Sequence, residues 1–319
     1  MRFRNAVHIT IDNFSFVFKS LLYRIVIGII FFSLSYVVLS AGLSTVVQSA
    51  EAAEIKNLVV EFFRALFTGN PERLQTFQGE FTEALKALGT LMGENLGSIV
   101  GALVGVCVIY LLTRFANGLS VFAVAGAMND RMSAFSRTSF SASYFRNVGR
   151  GMLYQLIYVP LAFVYDLFTA LACWFFFFYV LSHILPWGVF TVIAALALTV
   201  TAVVCLESLK MTLISAWIPA IVSGNKQVGK AMKESFCSQK QFASRLAGYI
   251  VAVYLIIIVN VGGALCTLGS TLLLTMPLSF VFLLALQFVN YYEDHGKKYY
   301  ISLEKIAGGG DGREESKEE

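Results

Sequence analysis

One carboxylate sits where carboxylates are expensive. Asp166 lies between Val164-Tyr165 and Leu167-Phe168, near the middle of an apolar run over 152–181. An ionisable group inside a run long enough to cross a bilayer is a functional hypothesis by default. It could carry a proton, bind a cation or polar substrate group, or join helices through hydrogen bonds. Polar residues at comparable positions in the other apolar runs include Tyr110 and Asn260, which with Asp166 form a candidate polar path. None of these neighbours is a strong base, and the runs place no lysine or arginine at the level of Asp166. Glu207 and Lys210 stand three apart near the end of a fourth run, and Arg114 closes the second at similar depth. The spacing suits a local i, i+3 ion pair at a membrane interface, with a gate or substrate clamp as the alternative.

Other chemistry is hard to assemble. His8, His183 and His295 are far apart, and there is no HExxH or GxSxG string. Gly224-Asn-Lys-Gln-Val-Gly229-Lys230 has the glycine and lysine spacing of a phosphate-binding loop. Ala231 replaces the hydroxyl residue that would hold magnesium, and an apolar segment ending at Trp217–Pro219 stands where a strand is required. Five cysteines show no paired spacing, so neither a disulfide framework nor a thiolate metal site is expected. No catalytic constellation, cofactor or metal is expected, and nothing resembles a nucleic-acid module.

The elements that position these residues follow from composition. Of 319 residues, 57% are hydrophobic and 14% charged, outside the range of soluble domains. Six apolar runs, roughly 22–47, 96–115, 152–181, 187–208, 246–266 and 268–290, each supply about the 20 residues needed to cross a bilayer core. Without water to satisfy the backbone, and without barrel alternation, these must be helices. The expected fold class is all-α: a polytopic membrane protein of six helices arranged as three pseudo-repeated hairpins. Basic amphipathic stretches near Phe14–Ile25, Phe140–Leu153 and Phe236–Leu246 lead into three of the runs as interfacial helices.

Charge sets the orientation. The N-terminal segment and the 128–151 loop each carry a net +3, and 207–245 carries +4, whereas the 48–95 loop carries −3. The positive-inside rule therefore expects both termini in the cytoplasm and 48–95 outside. The run after residue 22 is too long for a signal peptide, so an uncleaved anchor is expected. Trp174–Tyr179 and Trp187 suit an outer aromatic belt, and Trp217, Tyr291 and Tyr292 an inner one.

Within 48–95, Ile55, Leu58, Val59, Phe62, Phe63 and Leu66 line one helical face, and Leu74, Phe77, Phe81, Leu85 and Met92 another. The Thr68-Gly-Asn-Pro71 string between them predicts an external helical hairpin. Gly97, Gly101 and Gly105, four apart, predict a flat strip for close helix packing, against this chain or another subunit. The stretch 224–245 reads as a cationic surface helix carrying Lys226, Lys230, Lys233, Lys240 and Arg245, suited to anionic lipid head groups. One domain over 1–300 and a flexible charged tail over 301–319 complete the expected organisation.

Two stretches carry a resemblance. Trp217-Ile-Pro-Ala-Ile-Val-Ser-Gly-Asn225 with Lys230-Ala-Met-Lys-Glu-Ser-Phe236, and Asn290-Tyr-Tyr-Glu-Asp-His-Gly-Lys-Lys-Tyr-Tyr300, resemble a loose group of uncharacterised bacterial six-helix membrane proteins. That group is similar to the membrane domain fused to some glycerophosphodiester phosphodiesterases. The resemblance covers about the last hundred residues. It implies the six-helix architecture and a bacterial plasma membrane. No phosphodiesterase domain is present, so that activity does not carry over, and no functional residue is transferred. The expected function is transport or amphiphile handling without catalysis. A membrane scaffold, as a homo-oligomer or in a larger complex, is the alternative.

Overall fold

The structure is a computed structural model that describes residues 1–68, 71–183, 189–237, 241–303 and 305–308. The Gly69-Asn70 turn, Trp187, Lys240 and the tail beyond Gly308 lie outside the described residues. Among the described residues eleven helices run in order: α1 (Arg2–Asp12), α2 (Ser15–Val47), α3 (Ala50–Thr68), α4 (Pro71–Glu94), α5 (Leu96–Ala134), α6 (Phe140–His183), α7 (Val189–Ile214), α8 (Trp217–Val222), α9 (Val228–Cys237), α10 (Phe242–Thr267) and α11 (Leu272–Asp294). Six of them are long and apolar enough to cross a membrane, so this is an all-α multi-pass membrane protein.

Three spans extend further than their apolar runs. α2 starts at Ser15 rather than near 22, α5 continues to Ala134 rather than 115, and α6 starts at Phe140 rather than near 152. Hydropathy windows stop at charges, but backbone hydrogen bonding does not. The basic stretches at Phe14–Ile25 and Phe140–Leu153 are therefore the first turns of α2 and α6, not separate surface helices, whereas α1 and α9 are separate from the spans that follow. The 224–245 stretch is likewise interrupted: α9 ends at Cys237, α10 starts at Phe242, and Gln241 between them is left-handed at φ 61°.

Contacts divide the chain into two compact units. One comprises 26–113. In it α2 and α5 pack through Gly42 against Ala102, and through Gly105, where an added Cβ would lie 2.9 Å from Val38 Cγ1. Its second feature is the α3–α4 hairpin, in which Phe62 and Phe77 lie 4.4 Å apart and Ala65 and Ala84 are buried.

The other unit comprises 1–25 and 114–319. Its centre is α11, half buried along its apolar window, the largest share of any span. α7 packs against α6 and α10, and α10 against α11. The core gathers at the end of the spans that carries the basic segments: Ile9, Phe122, Met128, Tyr154, Ile221, Tyr249 and Phe288 are almost wholly enclosed there. Trp217, Tyr291 and Tyr292 are 7%, 4% and 3% exposed, so they are core residues and not an interface belt. Arg245 is 6% exposed and faces Asp294 at 3.7 Å, which removes it from the expected cationic surface.

The amphipathic α1 is bolted onto α11. Phe3 packs edge-on to Phe282, and Arg2 Nε donates to Glu293 Oε2 at 2.7 Å. A short antiparallel hairpin, β1 (Tyr299–Ser302) and β2 (Lys305–Ala307), occupies part of the expected tail. It is anchored because Asn5 donates to the Tyr299 hydroxyl, which donates to Glu293, each at 2.9 Å. Burial and the neighbouring Glu293 push the Tyr299 phenol above its ordinary range.

Candidate functional site: a charged network beside a mainly apolar chamber

Asp166 is not alone. Arg114 on α5 donates through Nη1 to its Oδ2 at 2.6 Å, and Lys210 on α7 donates through Nζ to its Oδ1 at 2.8 Å. Lys210 also pairs with Glu207 at 2.5 Å. Four charges from three helices form one network whose formal sum is zero. Lys210, its centre, keeps only 10% of its side chain exposed, while Asp166 keeps 33%. The Lys210 ammonium also lies 5.4 Å from the ring centre of Tyr165, whose hydroxyl donates to the Leu206 carbonyl. These contacts brace α6 against α7.

The expectation that no basic residue shares the level of Asp166 is therefore wrong. Arg114 closes an apolar run in the sequence, yet it lies in mid-helix, because α5 continues to Ala134. Arg114, Glu207 and Lys210, read from sequence as interface charges separate from Asp166, belong to its own network.

The other residues of the expected path have surroundings of their own. Asn260 donates to the Ile256 carbonyl and Ser279 and accepts from Thr275 at 2.6 Å, so its hydrogen bonds hold α10 to α11. Tyr110 lies in the 26–113 unit with 48% of its surface exposed. Of the glycine strip, Gly105 meets Val38, whereas a Cβ at Gly97 or Gly101 would meet nothing within 4 Å. The close approach expected of all three is made within this chain by Gly105 and by Gly42, which the four-residue spacing does not mark.

Adjoining the network is a chamber of about 160 Å³. Arg114 contributes to its wall, as do Tyr154, Gln155 and Tyr158 of α6, Met211 and Ile214 of α7, and Phe280, Leu284 and Gln287 of α11. Tyr154 and Tyr158 stack at 5.3 Å. Gly118 lets α5 pass so close to the Gln155 amide that a methyl group there would overlap it. Neither glutamine stood out in the sequence, although each is an amide inside an apolar run, a signal of the same kind as Asp166. The half-buried Arg24 also has a partner that the sequence does not mark: its guanidinium lies 4.3 Å from the centre of the Phe280 ring.

The glycine–lysine string at 224–230 follows helix α8 and not a strand, so the context of a phosphate-binding loop is absent. No group of three or more metal-binding side chains occurs among the described residues. No family model, curated protein or solved structure matches this chain, so the site is read from its own chemistry.

Proposed function

We propose that this membrane protein handles an amphiphile, holding it in the chamber beside the Arg114–Asp166–Lys210–Glu207 network. The observation that carries this reading is the pairing of a charge-balanced network with a mainly apolar chamber that also contains amides and phenols. Binding sites for small amphipathic molecules have this composition: an apolar wall with a few placed polar groups. The network would tie α5, α6 and α7 together, so that access to the chamber depends on whether the ion pairs hold. By the positive-inside rule the chamber would lie toward the cytoplasmic ends of the spans, in a bacterial plasma membrane with both termini inside. The exposed Lys230 and Lys233 of α9 would then meet anionic lipid head groups.

A second reading has one favourable observation. The open faces at Gly97 and Gly101 leave room for a helix of another subunit, as a scaffold or oligomer would require. Photolabelling in nanodiscs with diazirine-bearing acyl probes separates the two. An amphiphile handler should gain adducts on chamber residues within 154–159 and 280–287. Labelling confined to lipid-facing positions such as Leu161 and Val164 would refute the proposal.

A further inference from the structure

The chamber contains a polar atom that the protein leaves without a partner. Gln155 and Gln287 are 2% and 6% exposed and both line it. Gln287 Oε1 is enclosed with no donor among the described residues. Burying an amide oxygen unpaired is unfavourable, so this atom, with the Gln155 amide lining the same space, points to an occupant that hydrogen-bonds there. Tyr158 lines the same space, and Val121, Ile218 and Leu283 supply apolar surface. Charge is already balanced: Arg114 is held by Asp166, and the network to which it belongs sums to zero.

We infer that the chamber binds the uncharged, hydroxyl- or amide-bearing head of an amphiphile, hydrogen-bonded to Gln155 and Gln287. The inference rests on the amphiphile-handling reading and names its ligand class. A hydroxyl both donates and accepts, so it can satisfy either end of an amide. A charged head would find no uncompensated counter-charge in the lining. Arg24 is not part of that lining; its guanidinium lies against the Phe280 ring. Size sets the rest. An apolar cavity of about 150 Å³ holds benzene, so a space of about 160 Å³ takes a head group and a few carbons.

The test uses the full-length protein in nanodiscs, labelled with a hexanol that carries a chain diazirine, at pH 7.5. Competitors are 1-hexanol, hexanoate and hexylammonium, which share a chain and differ in head charge. Adducts on 154–159 and 280–287 should be displaced by hexanol at concentrations at least tenfold lower than by either ion. Gln155→Leu and Gln287→Leu should each weaken hexanol about 3- to 10-fold, the worth of one or two hydrogen bonds. Neither should lower the unfolding midpoint, since leucine removes a buried amide at similar volume. If hexanoate or hexylammonium competes as well as hexanol, the uncharged-head inference falls while amphiphile handling stands. If none of the three displaces the label, both fall. Hexanol competition unchanged in both leucine variants would remove the amides from the binding site and overturn the inference.

Discussion

Asp166→Asn tests whether the network is one unit. The substitution keeps the size and one acceptor oxygen but turns a neutral cluster into one of net +1. At the observed 2.6 and 2.8 Å contacts the charge centres lie about 4 Å apart, worth about 4 kcal/mol per pair at an effective dielectric of 20. A third of the Asp166 side chain reaches solvent, and screening brings each pair to about 2 kcal/mol. Relief from desolvating the carboxylate returns about half of the combined loss. The net expectation is a destabilisation of about 2 kcal/mol. Lys210→Met should cost a similar amount because it orphans Glu207 as well. The double variant restores neutrality, leaving Arg114 and Glu207. It should therefore be more stable than the sum of the single losses predicts, by about 1.5 kcal/mol. Unfolding by titrated SDS, followed through the buried Trp217, measures all four corners of the cycle. Single effects below about 0.5 kcal/mol with no coupling would show that each charge is solvated on its own, and the network reasoning would fail.

Two further outcomes test the packing. Gly42→Leu places a side chain against Ala102 and the Ser98 carbonyl and should cost about 1–3 kcal/mol in the same unfolding assay. Gly101→Leu, which points into open space, should leave monomer stability unchanged, and an equal loss for both would contradict the assigned faces. Tyr299→Phe breaks the relay from Asn5 to Glu293 and should increase hydrogen exchange in residues 5–10 at neutral pH. Because the folded state holds the Tyr299 proton more tightly than the unfolded chain does, its contribution is complete below about pH 10 and declines as pH rises above that value. The phenylalanine variant should lack this alkaline component, and an unchanged alkaline profile would count against the burial argument.

Class and span number were legible because they depend on composition alone. A bilayer forces every apolar run of sufficient length into a helix, whatever its neighbours. The α3–α4 hairpin was equally legible, since Phe62 and Phe77 recur at helical spacing and Thr68 to Pro71 carries turn chemistry. The ends of the spans that carry the basic segments were not. Tyr291, Tyr292 and Trp217 have the residue types of an interface belt, and only the packing of α1 and α8 against α11 encloses them. Arg245 reads as one more surface cation until Asp294 is placed beside it.

The sequence by itself determined that Asp166 is costly, that Glu207 and Lys210 are within reach of each other on one helix, and that six helices surround such groups. Those are local properties, set by transfer free energy and by a 3.6-residue period. Tertiary structure alone decided that Arg114, 52 residues away, and Lys210, 44 residues away, meet on the same carboxylate. It also decided that Gln155 and Gln287 face one chamber. The physical reason is that helix continuity past a charge, and the rotation of each helix about its axis, are fixed by packing against neighbours. Hydropathy records neither.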